Sequence, residues 1–428
     1  MHYASCYASP MKITQVQAHE ILASGGYPSI EAIVQLEDDS VGKASVPYGA
    51  SAGSYEASVL LDGDESRYNG NGMLKAVRII SEEISPQVLN KEFSDQKEFD
   101  RFLIALDGTP QKTKLGGNSI LALSLAFARA AAKSQNQELY QYLRTSFSIS
   151  SPLKLPQPMM VIIEGGKHAE NSTNIQEFCL TATRQSSLVE NIRMVLETYH
   201  LTEAVLKEKG FSTNVGHEGA FAPEGIASNE LPLEVLAEAI SRSGYAPKTE
   251  IGISIDPAAS EYYQDGKYNL SIESKLLGSE EMIEYYRPWF EKYPLVTVED
   301  TLDEDDWSSW PKMRELCDEF SIPLIGDDLT VTNIKILQRA IDEKAITGIL
   351  IKLNQIGSVT ETVETCLLAK QHNMLVVPSH RGGGETNDTA MIDLAAAVGA
   401  DFVKVGPTRG ERVSKYNRLL EIERIETT

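Results

Sequence analysis

Six charged side chains recur at the ends of short apolar runs in the second half of the chain, and this regularity limits the fold more than any other feature. The runs IGISID, LVTVED, IPLIGDD, GILIKLN, MLVVPSH and FVKVG carry Asp256, Glu299, Asp327, Lys352, His380 and Lys404 at or just after their ends. Successive members lie 43, 28, 25, 28 and 24 residues apart. After the first interval, each spacing is about one strand plus one helix, and helical stretches such as SEEMIEYYRPWFEKY and VTETVETCLLAKQHN fill the gaps. Alternating strands and helices predict parallel βα units. Polar residues at that period leave a parallel sheet at one end, which in a closed barrel is where active sites lie.

The first ~140 residues have another rhythm. ITQVQAHEIL and IEAIVQLED alternate like half-exposed antiparallel strands joined by the turn ASGGYP, and VGKASVPYG follows. LKAVRIISEEIS, SDQKEFDRFLIAL and SILALSLAFARAAAKSQ then read as helices. Strands followed by helices predict a small α+β domain. The Ser/Pro-rich stretch SFSISSPLKLPQP marks a boundary, so domains are expected over 11–145 and 146–428. Residues 1–10 read as a disordered extension, or as an upstream start the cell does not use.

A net charge of −22 repels phosphate backbones and anionic lipid, so neither a nucleic-acid nor a membrane-surface partner is expected. No apolar run reaches the ~18 residues that a membrane span needs. The start of the chain lacks the pattern of a secretory signal. Cys6, Cys179, Cys317 and Cys366 stand far apart, which predicts free, mostly buried thiols in a reducing, cytoplasmic setting.

Three carboxylates converging on a barrel mouth need a cation, and hard oxygen ligands favour magnesium over zinc. Lys352, His380, Arg381 and Lys404 are expected on the opposite wall. A metal on one side and cations on the other would cage a small polyanion and stabilise an enediolate formed beside a carboxylate. Lysine is a plausible base there, its pKa lowered by the neighbouring positive charge.

From about Met11 to the end, the chain resembles the enolase family. The resemblance rests on VPYGASAGSYEA, LDGDESRYNGNG, LIALDGTPQKTKLGGNSILALSLAFARAAAKS, GGKHAENSTNIQEF, GHEGAFAP, SIDPAASEYY, VEDTLDEDDW, GDDLTVTN, LIKLNQIGSVTET, PSHRGGGETNDT and VGPTRGERVSKYNRLL, in order. It implies an α/β fold, a modified eight-stranded TIM-like βα barrel with irregular first units, capped by a smaller α+β N-terminal domain. It also implies a hydro-lyase of glycolysis and gluconeogenesis that interconverts 2-phosphoglycerate and phosphoenolpyruvate. Two Mg²⁺ ions per active site are implied, one tight and one arriving with substrate. Asp256, Glu299 and Asp327 match ligands of the tight ion, and Ser51 completes the second site. Lys352 matches the base at C2 and Glu218 the acid at the C3 hydroxyl, supported by Glu177. Gln176, His168, Arg381, Gly382 and Lys404 match substrate-contacting positions, and His380 lies beside Arg381. A homodimer or higher homo-oligomer is implied, with a cytoplasmic location and a secondary cell-surface or secreted presence.

Five places depart from the family pattern. The phosphate loop, usually Ser-His-Arg-Ser-Gly-Glu-Thr, runs from Ser379 to Thr386, is one residue longer and has Gly382 for the second serine. Backbone N–H groups there either replace the lost hydroxyl or leave phosphate binding weaker. Glu164 stands where an Asn is usual. His217 replaces an Asp before Glu218, and Ala220 replaces a Gly. That histidine either favours the ionised acid or points away. ASGGYP lacks the usual Asp, Arg and Asn of a turn near the family's subunit interface. Tyr48 and Ala52 replace Ser and Thr. Alternatives therefore stay open: an enolase-like enzyme acting on a related phosphorylated or phosphonate carboxylic acid, or a non-catalytic protein of this fold. His19, His200 and His372 are expected on the surface, and DEDDW as the acidic start of a helix.

Overall fold

The computed structural model describes residues 10–48, 53–184 and 186–427. Residues 1–9, with Cys6 and nearly all of the expected extension, lie outside the described residues, as do Ser51 and Ala52. Three antiparallel strands open the chain: β1 (Met11–Leu22), β2 (Pro28–Leu36) and β3 (Val41–Ser45). A short β4 (Glu92–Phe93), not foreseen from sequence, pairs with β1, giving the order β3-β2-β1-β4. Alternation along β2 turns Ile30, Ala32, Val34 and Leu36 to the buried side. The helix Gly117–Ser134 covers that sheet and is buried on almost every face, as its Ala- and Leu-rich sequence requires. The stretch LKAVRIISEEIS is helical, but its middle, Ile79–Ile84, winds into a wider π turn. That turn leads into Pro86, which has no N–H to continue the α pattern.

The barrel begins with β5 (Gln157–Glu164), β6 (Glu177–Ala182) and β7 (Ile251–Asp256). A small surface sheet, β8 (Tyr263–Gln264), β9 (Lys267–Leu270) and β10 (Lys275–Leu277), interrupts it. It resumes with β11 (Leu295–Glu299), β12 (Leu324–Gly326), β13 (Gly348–Ile351), β14 (Leu375–Pro378) and β15 (Phe402–Val405). The order is β14-β13-β12-β11-β7-β6-β5-β15, and a bridge between Ser379 and Lys404 closes the ring. Every pairing is parallel except those of β6, which runs against both neighbours. Met159 and Val161 of β5 point into a small interior cluster with Cys179, Ala220, Ile325, Leu350 and Val377. Met160 and Ile162 point outward, into the larger core between barrel and helices.

Among the described residues Cys179, Cys317 and Cys366 are free and buried, and no helix is long and apolar enough to cross a membrane. His19, His200 and His372 are exposed. DEDDW is not a helix start: the helix begins at Trp310, and the acidic residues form the turns before it. Their carboxylates are already engaged, Asp306 with Ser309, and Glu304 and Asp305 with Ser54 and Tyr55 across the domain boundary.

Candidate active site

Strand polarity explains which side chains meet at the barrel mouth. Asp256 and Glu299 are the last residues of β7 and β11, and Asp327 and Lys352 directly follow β12 and β13. His380 and Arg381 follow β14, and Lys404 lies within β15. Because β6 is reversed, its first residue, Glu177, stands at the same end, in register with Glu164 of β5 and Asp256 of β7. One cleft is lined by His168, Gln176, Glu177, Glu218, Asp256, Asp327, Lys352, His380, Arg381 and Gly382. Glu299 and Lys404 are both buried, and Lys404 reaches Glu177 and Asp256 of that lining. Ser51 lies outside the described residues, so its expected metal position has no structural account.

Glu218 sits in a tight loop pinned to β5 by paired bonds between Phe221 and residues 162 and 164. Its carboxylate is buried between two histidines, with His380 Nε2 at 3.2 Å from Oε1 and His168 Nδ1 at 3.5 Å from Oε2. Burial pushes the Glu218 pKa up, but His168 and His380 together hold it well below the usual carboxylate range. Burial pushes His168 down, and the Glu218 and Glu177 carboxylates outweigh it, raising His168 to about 9. The other nitrogen of His380 reaches Glu385 Oε1 at 2.7 Å. His217 is exposed, with its ring centroid 6.4 Å from that of His168, and burial together with the His168 charge pulls its pKa down. The histidines that favour an ionised Glu218 are His168 and His380.

The carboxylate side corrects a second expectation. Cations and carboxylates do not face each other across a gap but interlock. Lys404 Nζ bonds Asp256 at 2.9 Å and Glu299 at 2.8 Å, and pairs with Glu177 at 2.8 Å. Lys352 Nζ bonds Asp327 directly. Carboxylates this buried are stable only with positive charge in contact, so the two sets fold against each other. Lys352 is accordingly not lowered. Burial pulls its pKa down, but Asp327 holds it above the ordinary lysine value. Burial and the Asp256 charge keep Glu299 well above the usual carboxylate range despite Lys404.

Glu164–His168–Glu218 and Asp300–Asp327–Asp328 each bring ligand-capable atoms within 4.8 Å of one another. Of the expected metal trio only Asp327 belongs to either group; Lys404 stands between the other two. The donors on this wall, Asp256, Glu299, Asp300, Asp327 and Asp328, are all carboxylates. Such a set fits a hard divalent cation such as magnesium.

Several contributors escaped the sequence reading. Glu56, from the N-terminal domain, receives Arg381 Nη1 at 2.9 and 3.1 Å. Asp300 accepts the N–H groups of Asp327 and Asp328 at 2.9 and 2.6 Å and so fixes their turn. Gln355 donates to Asp327 Oδ1 at 2.8 Å. The doublets in VED and GDD, and the acid in SYEA, were the available signals. Comparison with known families gives two matches: the enolase N-terminal domain model over residues 13–143, and the enolase C-terminal TIM barrel domain model over residues 152–427.

Proposed function

The chain belongs to the enolase family, and from that premise we propose that it catalyses the reversible dehydration of 2-phosphoglycerate to phosphoenolpyruvate in glycolysis and gluconeogenesis. The observation that carries this reading is one cleft lined by both Lys352 and Glu218, with a carboxylate wall beside them. An amine base and a carboxyl acid are what elimination of water next to a carboxylate requires. Asp256, Glu299 and Asp327 would hold magnesium. Bound there, magnesium would supply positive charge to the substrate carboxylate, and Asp327 shared with it would hold Lys352 less firmly in the charged form.

In this reading Lys352 accepts the proton from C2. Glu218 gives a proton to the C3 hydroxyl, which leaves as water. His168 and Gln176 orient the substrate from the loop after β5, and Glu177 supports Glu218. Arg381, the N–H groups of the loop at Gly382, and Lys404 attract the anionic groups. The chain would work in the cytoplasm as a homo-oligomer.

A second reading, a related phosphorylated or phosphonate carboxylic acid as substrate, is favoured by one observation: Gly382 offers phosphate no hydroxyl. The test is the ultraviolet absorbance of phosphoenolpyruvate after addition of 2-phosphoglycerate. Turnover is expected with magnesium and should vanish with a chelator. Lys352→Ala should lower kcat by about a hundredfold or more. A flat trace from folded, magnesium-loaded protein, with turnover of an analogue, would select the second reading.

A further inference from the structure

We propose that Glu164 is a positioning residue for Glu218: its buried carboxyl grips the loop that carries Glu218 and stands beside it as a second carboxyl, so that the pair holds one proton between them. The inference rests on the reading of Glu218 as the acid.

Three observations carry it. Glu164 is fully buried at the end of β5, where the family usually has Asn. Its Oε1 accepts the N–H groups of Ala220 at 3.0 Å and Glu218 at 3.2 Å, and its Oε2 accepts Glu218 N–H at 3.0 Å. The Ala220 methyl packs into the barrel interior, so the gripped loop is anchored on both sides. The departures Glu164 and Ala220 therefore meet in one hydrogen bond, and a carboxyl supplies acceptor oxygens to both peptide groups where Asn has one.

Oxygens of Glu164 and Glu218 and a nitrogen of His168 lie within 4.8 Å of one another. Two carboxyls so close in a dry site do not both ionise. The groups facing them decide which one carries the charge. Glu218 has His168 at 3.5 Å and His380 at 3.2 Å. Behind His168 lies Glu177 at 3.8 Å, itself paired with Lys404. Among the described residues Glu164 pairs with no lysine or arginine, and its nearest positive group is the shared His168, within 4.8 Å. Charge therefore settles on Glu218 and the proton on Glu164. Burial and the Glu218 charge raise Glu164 to about 8, in the same sense. The proton that Glu218 gives to the C3 hydroxyl is then supplied to it by Glu164 across this contact, so Glu164 sets the pH range over which the pair stays loaded.

The test has two arms on full-length protein with magnesium. Infrared difference spectra of wild type minus Glu164→Gln, without substrate, should show a protonated-carboxyl C=O band at neutral pH that fades as pH rises through about 8. In turnover, Glu164→Gln and Glu164→Asn should lower kcat by about tenfold with KM changed by less than about threefold. The alkaline limb of the wild-type kcat profile should move or disappear. An absent difference band, or kcat and alkaline limb unchanged in both variants, would overturn the proposal. If Glu164→Gln does not fold, Glu164→Asn serves in both arms. If the protein does not turn over 2-phosphoglycerate at all, the infrared arm still decides, and the two failures stay distinct.

Discussion

A β-carbon built on Gly382 would stand 2.4 Å from Glu218 Oε1 and 3.1 Å from its Cδ. No side-chain carbon fits there unless Glu218 moves, and Glu218 is held by His380 on the same oxygen. The missing serine is therefore not an isolated loss of a hydroxyl; it is the space into which the Glu218 carboxylate fits. The sequence alone offered two outcomes for this loop, both concerning phosphate affinity. Contact with Glu218 adds a third, which a one-dimensional reading cannot give because residues 218 and 382 are far apart in the chain. Restoring the family residue with Gly382→Ser should displace Glu218 and lower kcat by about tenfold or more, ~1.4 kcal/mol of barrier, even if KM falls. Steady-state kinetics on both parameters read this directly. A gain in kcat would mean that the loop, and not Glu218, yields.

Among the elements, the tightest fit is between β3 and the helix Gly117–Ser134. A β-carbon on Gly42 would lie 1.9 Å from the carbonyl oxygen of Ala126 and 2.3 Å from the nitrogen of Ala130. Both are helix backbone atoms, with no flexible side chain to give way. Gly42→Ala should therefore lift the helix off the sheet and destabilise the protein by about 3 kcal/mol or more, the upper range for overpacking. Urea denaturation checks this; an unchanged midpoint would mean the helix slides without penalty. The same elements show what was legible. The strands of the second half could be read because parallel βα units repeat, and their polar ends fell in phase with Asp256, Glu299, Asp327, Lys352, His380 and Lys404. The reversed β6 breaks that phase. Glu177 begins its strand instead of ending it, so only the family resemblance found it. Glu164 does end a strand, yet its run, QPMMVIIE, lies next to the Ser/Pro-rich boundary, and in the sequence the residue stands out only as a departure from the family pattern. The interlocking of Lys404 with Asp256 and Glu299 was not legible at all, because spacing fixes which end a residue occupies and not how far its side chain reaches across the mouth.

Over the whole molecule the two domains share the site through buried charge. Glu56 of the first domain meets Arg381 of the barrel, and Arg129 meets Asp388. The hub of this arrangement is Glu385, fully buried. Its side chain contacts His380 at 2.7 Å, Arg412 at 2.8 Å and Lys415 at 2.8 Å. Its N–H bonds Ser24 Oγ at 3.0 Å and its carbonyl accepts Ser24 N–H at 2.8 Å, so the altered ASGGYP turn is tied to the phosphate loop. One residue thus joins the N-terminal turn through its backbone to the loop after β14 and the C-terminal helix Gly410–Thr427 through its carboxylate. Burial raises its pKa, but His380, Lys415 and Arg412 overcome this and hold it down to about 2. The unfolded chain, with an ordinary glutamate, takes up the proton first as pH falls. Glu385 therefore contributes stability that is complete above the ordinary glutamate pKa of 4.5 and is lost as pH drops towards about 2. A shift of this size corresponds to roughly 3 kcal/mol. Chemical denaturation at stepped pH should show wild-type stability falling more steeply through that window than in Glu385→Gln. The variant should already be weaker at neutral pH, by about 3 kcal/mol, since Arg412 and Lys415 lose their shared buried partner. Equal slopes in the two proteins would place the acid sensitivity elsewhere and leave the link between loop and helix to packing alone.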